Sequence, residues 1–318
     1  MSTTQLPYRL PTPDAAISVA FLGQCAAIAP HLPPADSGEL RSSVHDLRDG
    51  SDFAAVLADV ERTAADLLVV FQPDLVPPGA LTDYPGPVLG VALDTLPRAG
   101  RTSHESLDYN LAMLRRTDAA NVDRMLLTDP LGFEAAAQTL PAWRCAPLPV
   151  ADRHYREPAL SRRPPRMLFL GHSTMHREQM LVDQKHRFDV THFAAGLEGD
   201  ELDEVLAAHD IGICLHNDSG IVGFPHTVLL HLAAGHLVLS EPLEPKFGLD
   251  PGIHLIEVGN RHDLDLRVHQ TQQRPDAYDR VRRRGNHFAQ QFRASLVWPR
   301  LVGDLIEDLR VFGTHRGN

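Results

Sequence analysis

The residues best suited to chemistry lie in residues 220–242, GIVGFPHTVLLHLAAGHLVLSEP. The stretch reads as a Gly-rich loop, a helix, a Gly stop, and a strand that ends in Ser-Glu-Pro. A helix opening from a loop presents unpaired backbone N–H groups and a partial positive charge at its N-terminus. That arrangement holds phosphate without a metal. Gly223 permits close backbone approach, and His226 and Thr227 stand at the helix start as further donors. An ordinary loop–helix of an α/β domain has the same pattern, so the stretch alone does not name a ligand.

Further candidates follow apolar runs in the first half. Gly23 and Gln24 come directly after residues 17–22, and Asp94 after residues 88–93. A carboxylate at the carboxyl end of a strand can take a proton from an acceptor hydroxyl, although Asp also forms turns there. His31 and His104, both in loops, are alternative bases. The 18 histidines do not form a metal signature: His231 and His236 are separated by a helix stop, and no HExxH occurs. A Walker loop, a GxSxG elbow and a GxGxxG after the first strand are all absent. ATP hydrolysis, serine hydrolysis and dinucleotide redox chemistry are therefore unsupported. Cys25, Cys145 and Cys214 lie far apart without a CxxC and read as buried, reduced thiols.

The elements that must position these residues alternate. Strands are expected at residues 17–22, 67–71, 88–93, 124–127 and 147–150, with a helix at 53–63. Strands that are apolar throughout, separated by helices, indicate parallel sheets covered on both faces. Residues 151–165 are polar and Pro-rich and read as a linker. The pattern then restarts, with strands expected at 167–170, 188–193, 211–215, 236–240 and 253–258 and helices at 200–208 and 227–234. Helices at 278–292 and 296–312 close the chain. The expected fold is α/β with two Rossmann-like domains: 1–150 for an acceptor, and 166–318, terminal helices included, for a donor. Ligands of such sheets bind beyond the carboxyl ends of the strands, which places the site in the cleft between the domains.

Composition narrows the partners. Lys and Arg number 30 against 41 Asp and Glu, giving a net charge of −11 over 318 residues. Nucleic-acid binding needs a cationic surplus. The N-terminus lacks a cationic start followed by an apolar run, and the longest apolar stretch, 228–239, is too short to span a bilayer. A cytoplasmic protein is expected.

From residue 166 to about 310 the sequence resembles the second domain of B-type, two-Rossmann glycosyltransferases, in the CgeB-like (spore-maturation-type) branch of the group 1 glycosyl transferases. The resemblance lies in HLAAGHLVLSE (231–241), FLGHSTMHRE (169–178), KHRFDVTHFAAGL (185–197), AAHDIGICLHND (207–218) and EPLEPKFGLDPGIHLIEV (241–258). The first half matches in pattern, at VVFQPDL (69–75) and VALDTLP (91–97). The resemblance implies a metal-independent glycosyltransferase that takes a nucleoside-diphosphate sugar as substrate and needs no cofactor. It implies that Gly171, His172 and Ser173 form a loop facing the phosphates, with Arg177 neutralising them. His216 and Asn217 would lie near the nucleoside, His226 and Thr227 would meet the pyrophosphate, and Ser240 and Glu241 would border the donor. Many members carry a Glu five residues before the helix-ending Gly, in contact with the donor ribose; here that position is Leu230. A catalytically silent nucleotide-sugar-binding relative and a sugar-nucleotide epimerase are the alternatives.

Overall fold

The computed structural model describes residues 6–12, 15–98, 104–159, 164–194, 197, 199–314 and 316. The chain forms two units, one built from residues up to Leu148 together with those from Ala294 on, the other from Pro149–Arg293.

The first unit holds a six-stranded parallel sheet: β1 (Ile17–Gly23), β2 (Leu40–Asp46), β3 (Leu67–Phe71), β4 (Val88–Ala92), β5 (Arg124–Leu127) and β6 (Ala142–Cys145). The order is β2-β1-β3-β4-β5-β6. Alternate residues serve opposite faces: Val19, Phe21, Val69 and Phe71 enter one core cluster, while Ala20, Leu22, Leu68 and Val70 enter the other. Both faces are covered, which explains the apolar runs of the inner strands. The helices are α1 (Cys25–Ile28), α2 (Phe53–Arg62), α3 (Glu105–Leu114) and α4 (Phe133–Ala137). Asp52 caps α2 by accepting from the N–H groups of Ala54 and Ala55.

The second unit holds β7 (Met167–Leu170), β8 (Val190–Phe193), β9 (Ile211–Cys214), β10 (Leu237–Ser240) and β11 (Ile256–Glu257), all parallel, in the order β11-β10-β9-β7-β8. Its helices are α5 (Met175–Arg187), α6 (Gly199–Ala208), α7 (Thr227–Ala233), α8 (Arg261–Gln273) and α9 (Asp279–Ala289). Helix α7 is buried on every side from Val228 to Ala233, as its all-round apolar sequence requires. Gly235, at φ +78°, ends it.

The last helix, α10 (Ala294–Phe312), corrects the expected division of the chain. It does not complete the second unit but covers one face of the first sheet. Its Trp298 is fully buried with its ring edge-on to Phe21 and Phe71, and its indole Nε1 donates to the His31 carbonyl at 2.8 Å. Arg124 reaches Asp308 at 2.6 Å, and Arg144 pairs with Asp304.

The linker reading also changes. Residues 151–159 are packed into the second unit: His154 is buried with Nδ1 2.7 Å from Asp203 Oδ1. The Tyr155 hydroxyl donates to the Ala289 carbonyl, and the Arg293 guanidinium lies 4.0 Å from the centre of its ring. Residues 160–163 of the expected linker lie outside the described residues. Residues 147–150 are not a strand; Val150 makes one isolated bridge to Arg293. Cys214 is buried, Cys25 and Cys145 are only partly so, and none of the three is joined in a disulfide. Among the described residues no helix is long and apolar enough to cross a membrane.

Candidate functional site

In the second sheet the chain runs from β7 outward to β8 and then back to β9 on the other side of β7. Strand order therefore reverses between β7 and β9, and ligands of open α/β sheets bind beyond the strand ends at such a point. Arg177, in the first turn of α5, spans this reversal. Its Nε donates to the carbonyls of Leu215 (3.3 Å) and His216 (3.1 Å), Nη2 to Leu215 (3.0 Å), and Nη1 to the His172 carbonyl (3.0 Å). The guanidinium is buried and lies over the Phe169 ring. Arg177 thus ties the loop after β7 to the loop after β9 and leaves a positive charge under both.

Gly171 is the residue that makes room for it. Its φ is +150°, and a Cβ there would sit 3.1 Å from Arg177 Nη1. A second network fixes the same loop from behind. His192 on β8 donates from Nε2 to the Gly171 carbonyl at 2.7 Å, while its Nδ1 lies 3.1 Å from Lys185 Nζ. Lys185 also pairs with Glu178 at 2.8 Å, and Glu178 accepts from the Ser173 hydroxyl at 2.6 Å.

Glu241, at the end of β10, is drawn into the same knot. Its Oε2 accepts from the His216 backbone N–H at 2.7 Å, and its Oε1 lies 2.8 Å from His176 Nε2. The His216 ring donates from Nε2 to the Pro242 carbonyl, and burial lowers its pKa.

The expected donor-side residues therefore divide. Arg177, His216, Glu241 and Gly171 come together at the strand ends, but as a framework engaged mostly with itself. Ser240 points inward and bonds the Glu241 carbonyl, so it does not border an open surface. The Thr227 hydroxyl faces Cys214 Sγ at 3.7 Å. Gly223 is buried and its φ is not positive; its carbonyl accepts from Glu244 N–H. His172, Ser173, Asn217 and His226 are exposed. His226 sits at the start of α7, reachable by solvent yet ringed by protein; that crowding lowers its pKa, with Arg177 adding to the effect. Leu230, which stands where many members of the resembled family carry Glu, is 3% exposed and packs into the core. His231 and His236 prove to be neighbours, Nδ1 to Nδ1 3.0 Å apart and buried.

In the first unit, strand order reverses between β1 and β3. Gly23 closes β1, where a Cβ would meet Phe71 Cβ at 3.0 Å, and Gln24 starts α1 on the exposed side. Asp94 follows β4 and lines a cavity of ≈ 310 Å³ at the ends of β3 and β4, with Gln72, Asp74, Tyr109 and Asn110 among its other walls. Burial raises the Asp94 pKa, and the negative charge of Asp74 raises it further. His31 is buried beneath α10, and the His104 ring accepts from the Ser106 N–H at the start of α3.

Sequence reasoning did not find His176, Lys185, His192 or the Asp74 wall of the cavity. The first three lie inside the quoted motif segments, but their pairings join α5 to β8 and β10. Asp74 lies three residues beyond an apolar strand, close to the signal that had picked out Asp94.

No family model matches the chain, and no curated protein matches it. Solved structures do. HepE from Anabaena in complex with UDP-glucose is 11% identical with a TM-score of 0.57, over 92% of this chain and 100% of that one. An α-glucosyltransferase in complex with UDP-glucose and DNA containing an abasic site is 11% identical with a TM-score of 0.57, over 91% and 99%. The sucrose-phosphate synthase of Thermosynechococcus elongatus is 11% identical with a TM-score of 0.56, over 93% and 99%. The fold is that of the B-type glycosyltransferases. Within this B-type fold the Arg177 knot belongs to the second unit and the Asp94 cavity to the first.

Proposed function

We propose that the protein is a glycosyltransferase that moves a sugar from a nucleoside-diphosphate donor to an acceptor, without a bound metal. The observation that carries this reading is the Arg177 charge at the strand-order reversal of the second sheet, in a fold whose neighbours were solved with UDP-glucose. Segments 169–178 and 231–241 favour the CgeB-like branch.

The difficult step is cleavage of the anomeric C–O bond, which leaves negative charge on the departing diphosphate. Charge that develops in the transition state is best met by donors already in place. Arg177 is held rigidly by four carbonyl contacts and brings its positive field without reorganising. His226, neutral through its lowered pKa, offers a ring N–H from the start of α7. On the acceptor side Asp94 takes the proton of the attacking hydroxyl. Its raised pKa brings it nearer neutral pH, where general bases work best. Asp94→Asn is expected to lower kcat by roughly 10²–10⁴ with donor binding retained; an unchanged kcat removes the base from Asp94.

One observation favours a second reading, a nucleotide-sugar-binding relative without turnover. Leu230 is in the core, and both Glu241 oxygens are committed to His176 and His216. No carboxylate is thereby offered to a donor ribose from those two positions. Thermal shift and donor hydrolysis with a panel of nucleotide sugars separate the two: stabilisation without turnover on any acceptor favours the binding protein.

A further inference from the structure

The cavity in the first unit has a composition that selects its occupant. It holds ≈ 310 Å³, and its polar walls are Gln72, Asp74, Asp94, Tyr109 and Asn110, with no Lys, Arg or His in the lining among the described residues. The Asn110 amide nitrogen is already given to the Thr95 carbonyl at 2.9 Å, which leaves its oxygen with spare capacity. Two carboxylates and an amide oxygen give the recess a surplus of acceptors over its donors, the Gln72 amide and the Tyr109 hydroxyl, and its only formal charges among the described residues are negative.

The charge of Asp74 bears on Asp94: crowding by the cavity wall raises the Asp94 pKa and Asp74 raises it further, while Asp74 itself is raised by burial and by Asp49 against a lowering by Arg116. A neutral polyol satisfies their hydrogen bonds but leaves this charge in place. An ammonium group satisfies the bonds and cancels charge in the same contact. At the rim, Tyr109 is 63% exposed, and its ring face suits a cation or the apolar face of a sugar. Gln72, in the cavity wall, has φ +57°, a left-handed conformation for a residue with a side chain, just before the turn Pro73–Leu75 that carries Asp74. Such outliers cluster at ligand sites.

We infer, resting on the acceptor role proposed for the first unit, that this cavity takes an acceptor carrying a protonated primary amine beside its hydroxyls, of the amino-sugar or aminocyclitol class. Asp74 pairs with the ammonium, and Asp94 receives the proton of the hydroxyl that attacks. In that step the hydroxyl oxygen forms its bond to the anomeric carbon. The bond from that carbon to the diphosphate oxygen breaks, and its electron pair leaves with the nucleoside diphosphate.

The test is calorimetric titration of the intact protein with glucosamine, galactosamine and 2-deoxystreptamine, each against its N-acetylated form, with nucleoside diphosphate titrated separately. The amine forms are expected to bind at least about tenfold tighter than the acetylated forms. Asp74→Asn is expected to abolish that preference while nucleotide binding and the melting temperature stay unchanged. Equal binding of charged and neutral forms across the panel overturns the inference, as does a site that takes a divalent cation and ignores amines. A preference that survives in Asp74→Asn overturns the role of Asp74. Amine discrimination without nucleotide binding overturns only the donor reading, and nucleotide binding without discrimination overturns only this one.

Discussion

His176 Nε2 lies 2.8 Å from Glu241 Oε1, while the other oxygen of the same carboxylate accepts from the His216 backbone N–H at 2.7 Å. One side chain thus joins the start of α5, the end of β9 and the end of β10, the three places from which a donor at this sheet would be approached. Removing it orphans buried partners, which costs more than the net value of the bonds made. Glu241→Ala is expected to destabilise the protein by about 1–3 kcal/mol in urea unfolding. Glu241→Gln keeps an acceptor for the His216 N–H and should lose less. If the two variants match wild type, the knot does not hold the site.

Arg177 and His226 should part company under mutation. Arg177→Ala strips buried donors from the carbonyls of His172, Leu215 and His216, so stability falls by about 1–3 kcal/mol and donor affinity falls with it. His226 is exposed at the start of α7, and His226→Ala should weaken the donor with stability near wild type. Unaltered donor affinity in both variants removes these residues from the donor site.

How much of this was readable beforehand depended on whether a signal was local. The inner strands β3 and β5 appear in the sequence with their full bounds, because a strand buried on both faces is an unbroken apolar run. Strand β2, LRSSVHD, did not appear: it is an edge strand with a mostly open face. The apolar stripe of α10 was legible, but a stripe does not say which sheet it covers, and the helix went to the wrong unit. Asp94 was found from its place after a strand. Arg177 was named as a phosphate ligand, whereas its carbonyl partners lie 38 and 39 residues further along the chain and five residues back, in the preceding loop. His231 and His236 were held apart by a helix stop in the sequence; the turn at Gly235 brings them together instead.

That histidine pair makes the second unit sensitive to acid. Burial holds His236 at about 4, against an ordinary 6.5, and lowers His231 in the same direction. Unfolded histidine therefore takes up a proton before the folded one does, and stability is full above 6.5 and falls as pH drops toward 4. Between about pH 7.5 and pH 5 the His236 contribution alone amounts to about 2 kcal/mol lost. Denaturation midpoints at the two pH values measure it. His236→Gln should flatten the profile, and an unchanged slope in that variant assigns the acid loss elsewhere.

Trp298 carries the attachment of α10 to the first sheet, packed on Phe21 and Phe71 and bonded to the His31 carbonyl. Trp298→Ala is expected to cost about 3–5 kcal/mol. Amide exchange should quicken in β1 and β3 while β7 and β9 keep their protection. Equal loosening of both sheets contradicts the assignment of α10 to the first unit.

The central claim is donor binding by a nucleoside diphosphate sugar without a metal. Calorimetric titration of the intact protein with a panel of nucleoside diphosphates and their sugars, in buffer containing a chelator, tests it most directly. The account predicts saturable binding of at least one nucleotide sugar, weakened in His226→Ala and undiminished by the chelator. Absence of binding across the panel, or binding that appears only when a divalent metal is added, contradicts it.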